Sequence, residues 1–146
     1  MSNEPRYCCV ILRDSRGRYV FEKRPDTEVD APGMLTCFGG GREAQEDAES
    51  CVRRELREEL GFEVGELERV FTLRTPPSPL GREAWFFRAV ESGPEEGTVR
   101  ALEPGFEVVW VEPGSERMKE VGAWHRAVLD GLARGETEAT VGRETC

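Results

Sequence analysis

A chain of 146 residues is long enough to bury the core of one domain, and its 38% hydrophobic and 34% charged residues are typical of a globular protein. The net charge of -9 disfavours general binding to nucleic acids or anionic membranes, because both need a basic face. No apolar run approaches the roughly 18 residues that a membrane span needs, and segment 1–6 is too polar for a signal peptide, so we expect a cytoplasmic location.

The cysteines show no metal-binding or disulfide pattern. No two of them have CxxC spacing, and His125 is the only histidine in the sequence. We therefore interpret the five as reduced, mostly buried thiols. They are Cys8, Cys9, Cys37, Cys51 and Cys146.

Apolar and β-branched runs predict the strands, and helical spacing predicts two helices. Strands are expected over 7–12, 19–22, 34–38, 62–73, 85–90 and 106–111. The first two strands flank turn residues and predict a hairpin. Helices are expected from about Asp47 to Leu60, before Gly61, and from about Ser115 to Ala133.

The order of these elements predicts the architecture. No internal repeat and no linker interrupts the chain, so we expect a single domain over residues 1–146, with a loose tail over 136–146. Strands before and after one central helix, with another helix at the end, predict an α/β fold with a mixed β-sheet between helices.

Three glutamates of the central helix lie where apolar residues are expected. Glu55, Glu58 and Glu59 are spaced i, i+3 and i+4, so they share one helical face. Glu55 and Glu59 interrupt the apolar stripe, and Glu58 lies at its edge. Burying unpaired carboxylates costs several kcal/mol, and a divalent cation removes that cost. Because the ligands are all oxygens, we expect Mg²⁺ or Mn²⁺ as the cofactor.

The segment from Gly40 to Phe62 resembles the Nudix box of the Nudix hydrolase family. The matching positions are Gly40, Glu46, Arg54, Glu55, Leu56, Glu58, Glu59, Gly61 and Phe62. The flanking segment 33–40 departs from the family pattern, with Leu35 in place of a tryptophan and Phe38 in place of a proline. The resemblance implies an α/β/α sandwich and a metal-dependent pyrophosphohydrolase.

The resemblance also implies roles for individual residues. Glu55, Glu58 and Glu59 match the metal-binding glutamates, and the carbonyl of Gly40 matches a further ligand. Glu46 matches a glutamate that either supports these ligands or adds one more, and Arg54 matches the arginine that orients the carboxylates. The general base stays open among Glu59, Glu103 and Glu107.

Substrate contacts are predicted less specifically. Arg24, Arg74 and Arg82 are candidates to bind phosphates through bidentate contacts, although each is equally compatible with a solvated surface. Trp85 could stack on a nucleobase, but an aromatic run of this kind more often belongs to a sheet core. Pro77 lies at a spacing that resembles an ADP-ribose-hydrolysing subgroup, and three prolines in that loop weaken the match.

The expected activity is cleavage of a diphosphate linkage in a nucleoside diphosphate-X compound. The short chain is more similar to the nucleoside triphosphate hydrolases of the family, so we expect a (deoxy)nucleoside triphosphate, including an oxidised one, as substrate. An ADP-ribose or nucleotide-sugar pyrophosphatase, an RNA 5′-end processing enzyme and a non-catalytic nucleotide-sensing module are the alternatives. The sequence leaves the oligomeric state open, and a homodimer is compatible with it.

Overall fold

The computed structural model describes residues 4–75 and 83–142, and within them eight strands form a mixed sheet. The strands are β1 (Tyr7–Arg13), β2 (Tyr19–Lys23), β3 (Leu35–Thr36), β4 (Phe38–Gly41), β5 (Leu67–Arg74), β6 (Glu83–Ala89), β7 (Glu107–Val111) and β8 (Glu138–Thr140). The helices are α1 (Ala48–Leu60) and α2 (Ala123–Ala133), with a short 3-10 helix over Glu116–Glu120. The predicted α/β fold is confirmed.

Strand β1 organises the sheet because it changes partners along its length. Its N-terminal part pairs antiparallel with β4, and its C-terminal end pairs antiparallel with β2 as the predicted hairpin. On its other edge β1 pairs parallel with β6, which continues to β5 and then β8. β2 also pairs with β3 and β7, so β2 lies between these two strands.

Two apolar cores lie on opposite faces of the sheet, and neighbouring residues of a strand divide between them. Val20 packs into the core that contains Val52 and Leu56 of α1, whereas Phe21 packs into the core that contains Val128 of α2. Each helix therefore covers one face, and the layers are α/β/α. We call these the α1 face and the α2 face.

Helix α1 agrees with its sequence prediction. Asp47 is the N-cap, and its Oδ1 accepts a hydrogen bond from the backbone N of Ser50 at 2.7 Å. Gly61 ends the helix with φ at 66°, a left-handed conformation that costs glycine little. Both ends are thus determined by local residues.

Three sequence predictions need correction. The predicted strand over 34–38 is divided into β3 and β4, and β4 continues to Gly41. The predicted helix from Ser115 to Ala133 is interrupted, because extended Val121 bridges to Leu35 and Gly122 N donates to the Leu35 carbonyl at 2.8 Å. The tail is not loose throughout, since β8 pairs with β5.

No helix in the described part of the chain is long and apolar enough to cross a membrane. The cysteines at 8, 9, 37 and 51 are free thiols, and Cys146 lies outside the described residues.

Candidate metal centre

The three glutamates of α1 differ sharply in exposure. Glu59 is 6% exposed and counts among the buried residues of the helix, as its place in the apolar stripe predicts. The side chain of Glu55 is 15% exposed and that of Glu58 is 57% exposed. The carboxylates therefore extend from the core outwards along one helical face.

Arg54 holds the two outer carboxylates. Its Nη1 donates to Glu55 Oε1 at 3.1 Å and to Glu58 Oε2 at 3.2 Å. Its Nη2 also donates to the carbonyl of Gly41 at 3.1 Å, which ties α1 to β4. One guanidinium thus orients two of the predicted ligands and fixes the strand beside them.

Glu46 is a further partner of Arg54 and binds it through both carboxylate oxygens. Arg54 Nε donates to Glu46 Oε2 at 2.7 Å, and Nη2 donates to Oε1 at 3.0 Å. This bidentate contact holds the pKa of Glu46 at about 2, well below its ordinary value. In this arrangement Glu46 orients Arg54, which is the supporting one of the two roles predicted for it.

Strand β4 approaches α1 through its glycines. The backbone N of Gly39 donates to Glu59 Oε1 at 3.2 Å, and a Cβ built on Gly40 would lie 2.5 Å from Glu55 Oε1. Gly39 has φ at 147°, and a side chain there would collide with the backbone of Cys8. The glycine run therefore lets β4 pass close to both carboxylates.

A fourth carboxyl group, Glu22 on β2, completes the buried end of the site. Glu22 is only 3% exposed and hydrogen-bonds the carboxyl group of Glu59. Glu22 is not among the site residues that the sequence predicts. The available signal was strand alternation, which places Glu22 on the same face as Val20 and hence towards α1.

Burial dominates the electrostatics of this carboxyl pair. It raises the pKa of Glu59 well above its ordinary value, and the neighbouring Glu22 charge raises it further. Burial also raises the pKa of Glu22. One proton shared between the two carboxyl groups relieves the repulsion between their charges.

The two candidates for the general base outside the box lie on different sides of the sheet. Burial is the main cause of the raised pKa of Glu55, and the charge of Glu103 adds to it, as it does at Glu22. Glu103 is thus close enough to act on the carboxylates. Glu107 is two residues from Val109, which packs on the α2 face, so it points away from them.

The ligand set suits Mg²⁺ or Mn²⁺ chemically, although it is not assembled as a coordination shell. Among residues 4–75 and 83–142, no three His, Cys, Asp or Glu side chains are already arranged to hold a metal ion. Glu55 and Glu58 face Arg54, and Glu59 faces Glu22. Rotation of flexible glutamate side chains would bring oxygen donors together, and a cation would replace the proton that relieves the buried pair. We conclude that these residues fit a hard divalent cation.

The predicted substrate contacts fall in different places. Arg24 lies beside the carboxylates, with Nη1 3.8 Å from Glu22 Oε1 and its guanidinium 5.8 Å from the ring centre of Phe106. Arg74 forms ion pairs with Glu83 and Glu138. Arg82 and Pro77 lie outside the described residues.

Trp85 belongs to the apolar packing on the α1 face, as the more common of its two interpretations predicts. It packs against the core of that face, and the guanidinium of Arg69 lies 3.7 Å from its ring centre. Its indole Nε1 donates to Glu83 Oε1 at 2.9 Å. One ring surface is therefore already occupied by a cation.

Comparison with known proteins shows the family of the chain. The family model described as NUDIX domain matches residues 3–132, so the chain belongs to this family and is a Nudix hydrolase. Enzymes of the family generally use a divalent metal ion. No curated protein sequence matches the chain.

Solved structures show the same fold at low sequence identity. A MutT protein from Methanosarcina mazei Go1 is 18% identical, with a TM-score of 0.71, over 92% of this chain and 98% of that one. A MutT NUDIX hydrolase from Burkholderia pseudomallei is 19% identical, with a TM-score of 0.66, over 88% and 98%. The NUDIX domain of Shewanella oneidensis NrtR, in complex with ADP ribose, is 15% identical, with a TM-score of 0.70, over 92% and 89%.

Proposed function

We propose that the chain is a Mg²⁺- or Mn²⁺-dependent pyrophosphohydrolase of nucleoside diphosphate-X compounds, with a (deoxy)nucleoside triphosphate, ordinary or oxidised, as substrate. The observation that carries the proposal is the row of carboxylates on α1, which runs from exposed Glu58 to buried Glu59 beside the glycines of β4. Helix stability does not explain carboxylates at such positions, whereas a cation bound to a diphosphate does.

The metal ligands in this proposal are the Gly40 carbonyl, Glu55, Glu58 and Glu59. When bound, a divalent cation neutralises charge on the diphosphate and makes water more acidic. Arg54 keeps Glu55 and Glu58 on the same side of the helix through hydrogen bonds of 3.1 and 3.2 Å. Pre-orientation of this kind lowers the reorganisation needed when charge develops in the transition state.

Glu103 is the general base that this arrangement supports best. It is exposed, so it can reach a water molecule. Its negative charge raises the pKa of Glu55 and of Glu22, so it lies near both carboxyl groups. Glu103 would accept the proton as the water oxygen attacks one phosphorus and the bond from that phosphorus to the bridging oxygen breaks. The other phosphate leaves with that bridging oxygen.

Arg24 is the described arginine best placed to bind the phosphates. Its Nη1 is 3.8 Å from Glu22, beyond hydrogen-bond distance, although Nε donates to the carbonyl of Asp30 at 2.8 Å. Nη2 already donates to Glu28 Oε1 at 3.4 Å, and an anionic phosphate beside the carboxylates would give Nη1 a fully charged acceptor at hydrogen-bond distance.

The test is turnover of a substrate panel with Mg²⁺ or Mn²⁺. Nucleoside triphosphates, oxidised dGTP, ADP-ribose, dinucleoside polyphosphates and nucleotide sugars would each be incubated with the protein, and the products identified by mass. Glu59→Gln should abolish turnover. Glu49→Gln, at an exposed position of the same helix, is the matched control and should leave turnover unchanged.

Release of a nucleoside monophosphate and pyrophosphate from a triphosphate would support the proposal. Preference for ADP-ribose would replace the substrate, which is a reasonable alternative because the similar NrtR domain was solved with ADP ribose. Nucleotide binding without turnover of any panel member would contradict the proposed function.

A further inference from the structure

The sheet brings a carboxyl group to the metal centre that lies outside the Nudix box. Glu22 pairs across strands with Thr36 of β3 and with Val108 of β7, and Val108 packs on the α1 face. Residues paired in this way point to the same side of a sheet, so Glu22 and Thr36 both face α1. From there the Glu22 carboxylate reaches Glu59.

Glu22 pairs only loosely with Arg24, a cation that it shares with other acceptors. Its side chain is 5% exposed, and the Arg24 guanidinium, 3.8 Å away, also donates to Asp30 and Glu28. The negative charges of Glu103 and Glu55 also repel the Glu22 carboxylate. A carboxylate buried among other carboxylates is unfavourable unless a proton or a cation joins them.

Thr36 provides an independent observation at the same place. It is 4% exposed, and within the described ranges its Oγ1 finds no hydrogen-bond partner. A buried hydroxyl left without a partner costs about 1–3 kcal/mol, so such groups usually indicate a bound water or ligand. Mg²⁺ keeps several waters when it binds to proteins, and those waters are strong hydrogen-bond partners.

We propose that Glu22 is a ligand of the divalent cation, contributed by the sheet opposite α1, and that Thr36 Oγ1 hydrogen-bonds a water of the cation's hydration shell. Glu22 of β2 and Glu59 of α1 would then hold the cation together. This inference rests on the proposed function, because it requires a cation at the carboxylates.

Mn²⁺ alone, without nucleotide, is the probe for this test. Electron paramagnetic resonance measures the free ion during titration, and water-proton relaxation reports how many waters remain on the bound ion. Glu22→Gln should lower Mn²⁺ affinity at least about tenfold and add a water to the bound ion. Thr36→Val should lower the affinity less, because it removes only a contact to the hydration shell.

Glu103→Gln is the matched control for charge. It removes a nearby negative charge, so it should weaken Mn²⁺ binding modestly and leave the hydration number unchanged. Thermal unfolding in chelator shows whether each variant is folded. Glu22→Asp keeps a carboxylate on a shorter side chain, so its Mn²⁺ affinity should lie between those of wild type and Glu22→Gln.

The outcomes separate this inference from the proposed function. If wild type binds Mn²⁺, Glu59→Gln does not, and Glu22→Gln binds with wild-type affinity and hydration, Glu22 is not a ligand and the inference alone fails. If wild type itself does not bind Mn²⁺ in the millimolar range, both fail.

Discussion

Gly40 and Glu55 approach so closely that a Cβ built on Gly40 would lie 2.5 Å from Glu55 Oε1. A Cβ on the adjacent Gly41 would meet nothing closer than Tyr7 Cε1 at 4.0 Å. Neither glycine has a positive φ, so alanine is conformationally acceptable at both positions. The two positions therefore differ in whether a methyl group displaces a candidate ligand.

Gly40→Ala should weaken metal binding with little loss of stability. The methyl group meets the flexible end of Glu55, which can rotate away at small cost, but rotation removes a carboxylate from the site. We expect Mn²⁺ affinity to fall about tenfold or more and the melting temperature in chelator to change little. Gly41→Ala is the control and should bind as wild type does. Equal affinities for the two variants would contradict this role of Gly40.

Arg54→Lys should lower metal affinity although it keeps the charge. Lysine cannot reproduce the paired hydrogen bonds to Glu46 at 2.7 and 3.0 Å while also holding Glu55. Loss of such supporting contacts costs about 10–100-fold in metal affinity or activity. The measurement is a Mn²⁺ titration followed by steady-state kinetics.

The control for Arg54→Lys is Arg57→Lys on the same helix. Arg57 is 53% exposed and pairs with Glu63, which is 71% exposed, so the exchange should change little. Wild-type affinity in Arg54→Lys would mean that charge alone, without the bidentate geometry, orients the carboxylates.

Glu59→Gln should stabilise the metal-free protein increasingly as pH rises. Burial and the Glu22 charge hold the Glu59 pKa above its ordinary value of 4.5, so the native state keeps a proton that the unfolded chain releases. The contribution of Glu59 to the free energy of unfolding is fully present below about pH 4.5, and it is lost as the pH rises towards the native pKa. The loss approaches about 1.4 kcal/mol per pH unit for one proton.

Urea unfolding in chelator at pH 5 and pH 8 checks this prediction. The difference in unfolding free energy between Glu59→Gln and wild type should be larger at pH 8, because the amide carries no charge to bury. Glu58→Gln changes an exposed carboxylate and should show no such increase. An unchanged difference between the two pH values would argue against a raised Glu59 pKa.

The parts of the site that local spacing determines could be predicted from the sequence. Helix α1, its caps at Asp47 and Gly61, and the shared face of its glutamates all follow from residues within four positions of one another. Burial of Glu59 follows in the same way, because it occupies the apolar stripe. No strand pairing enters these predictions.

The parts that depend on pairing between distant strands could not be predicted. Glu22 reaches Glu59 only because β2 lies between β3 and β7, and nothing near Glu22 in the sequence specifies those neighbours. The break before α2 likewise depends on the contact between Val121 and Leu35, which are far apart in the sequence. Strand β8 is defined by its pairing with β5.

His125 on α2 should titrate far below the ordinary histidine range. It is half-buried: its Nδ1 accepts a hydrogen bond from the backbone N of Cys37 at 3.2 Å, and its ring packs edge-on against Phe86. Burial, and to a lesser extent the charge of Arg24, lower its pKa to about 4. Because it is the only histidine, its ring proton resonance can be followed without assignment, and the midpoint should lie near pH 4.

The same pKa predicts a stability change in acid. Between about pH 6.5 and 4 the unfolded chain binds a proton at His125 that the native state does not, so stability contributed by neutral His125 falls as pH falls through this window. His125→Asn can still accept the Cys37 hydrogen bond but cannot take up the proton. Its absolute stability should drop because it loses the contact with Phe86, yet its unfolding free energy should fall less steeply from pH 6.5 to 4 than that of wild type. Parallel pH profiles for the two proteins, or an NMR midpoint near 6.5, would mean that His125 is accessible to water.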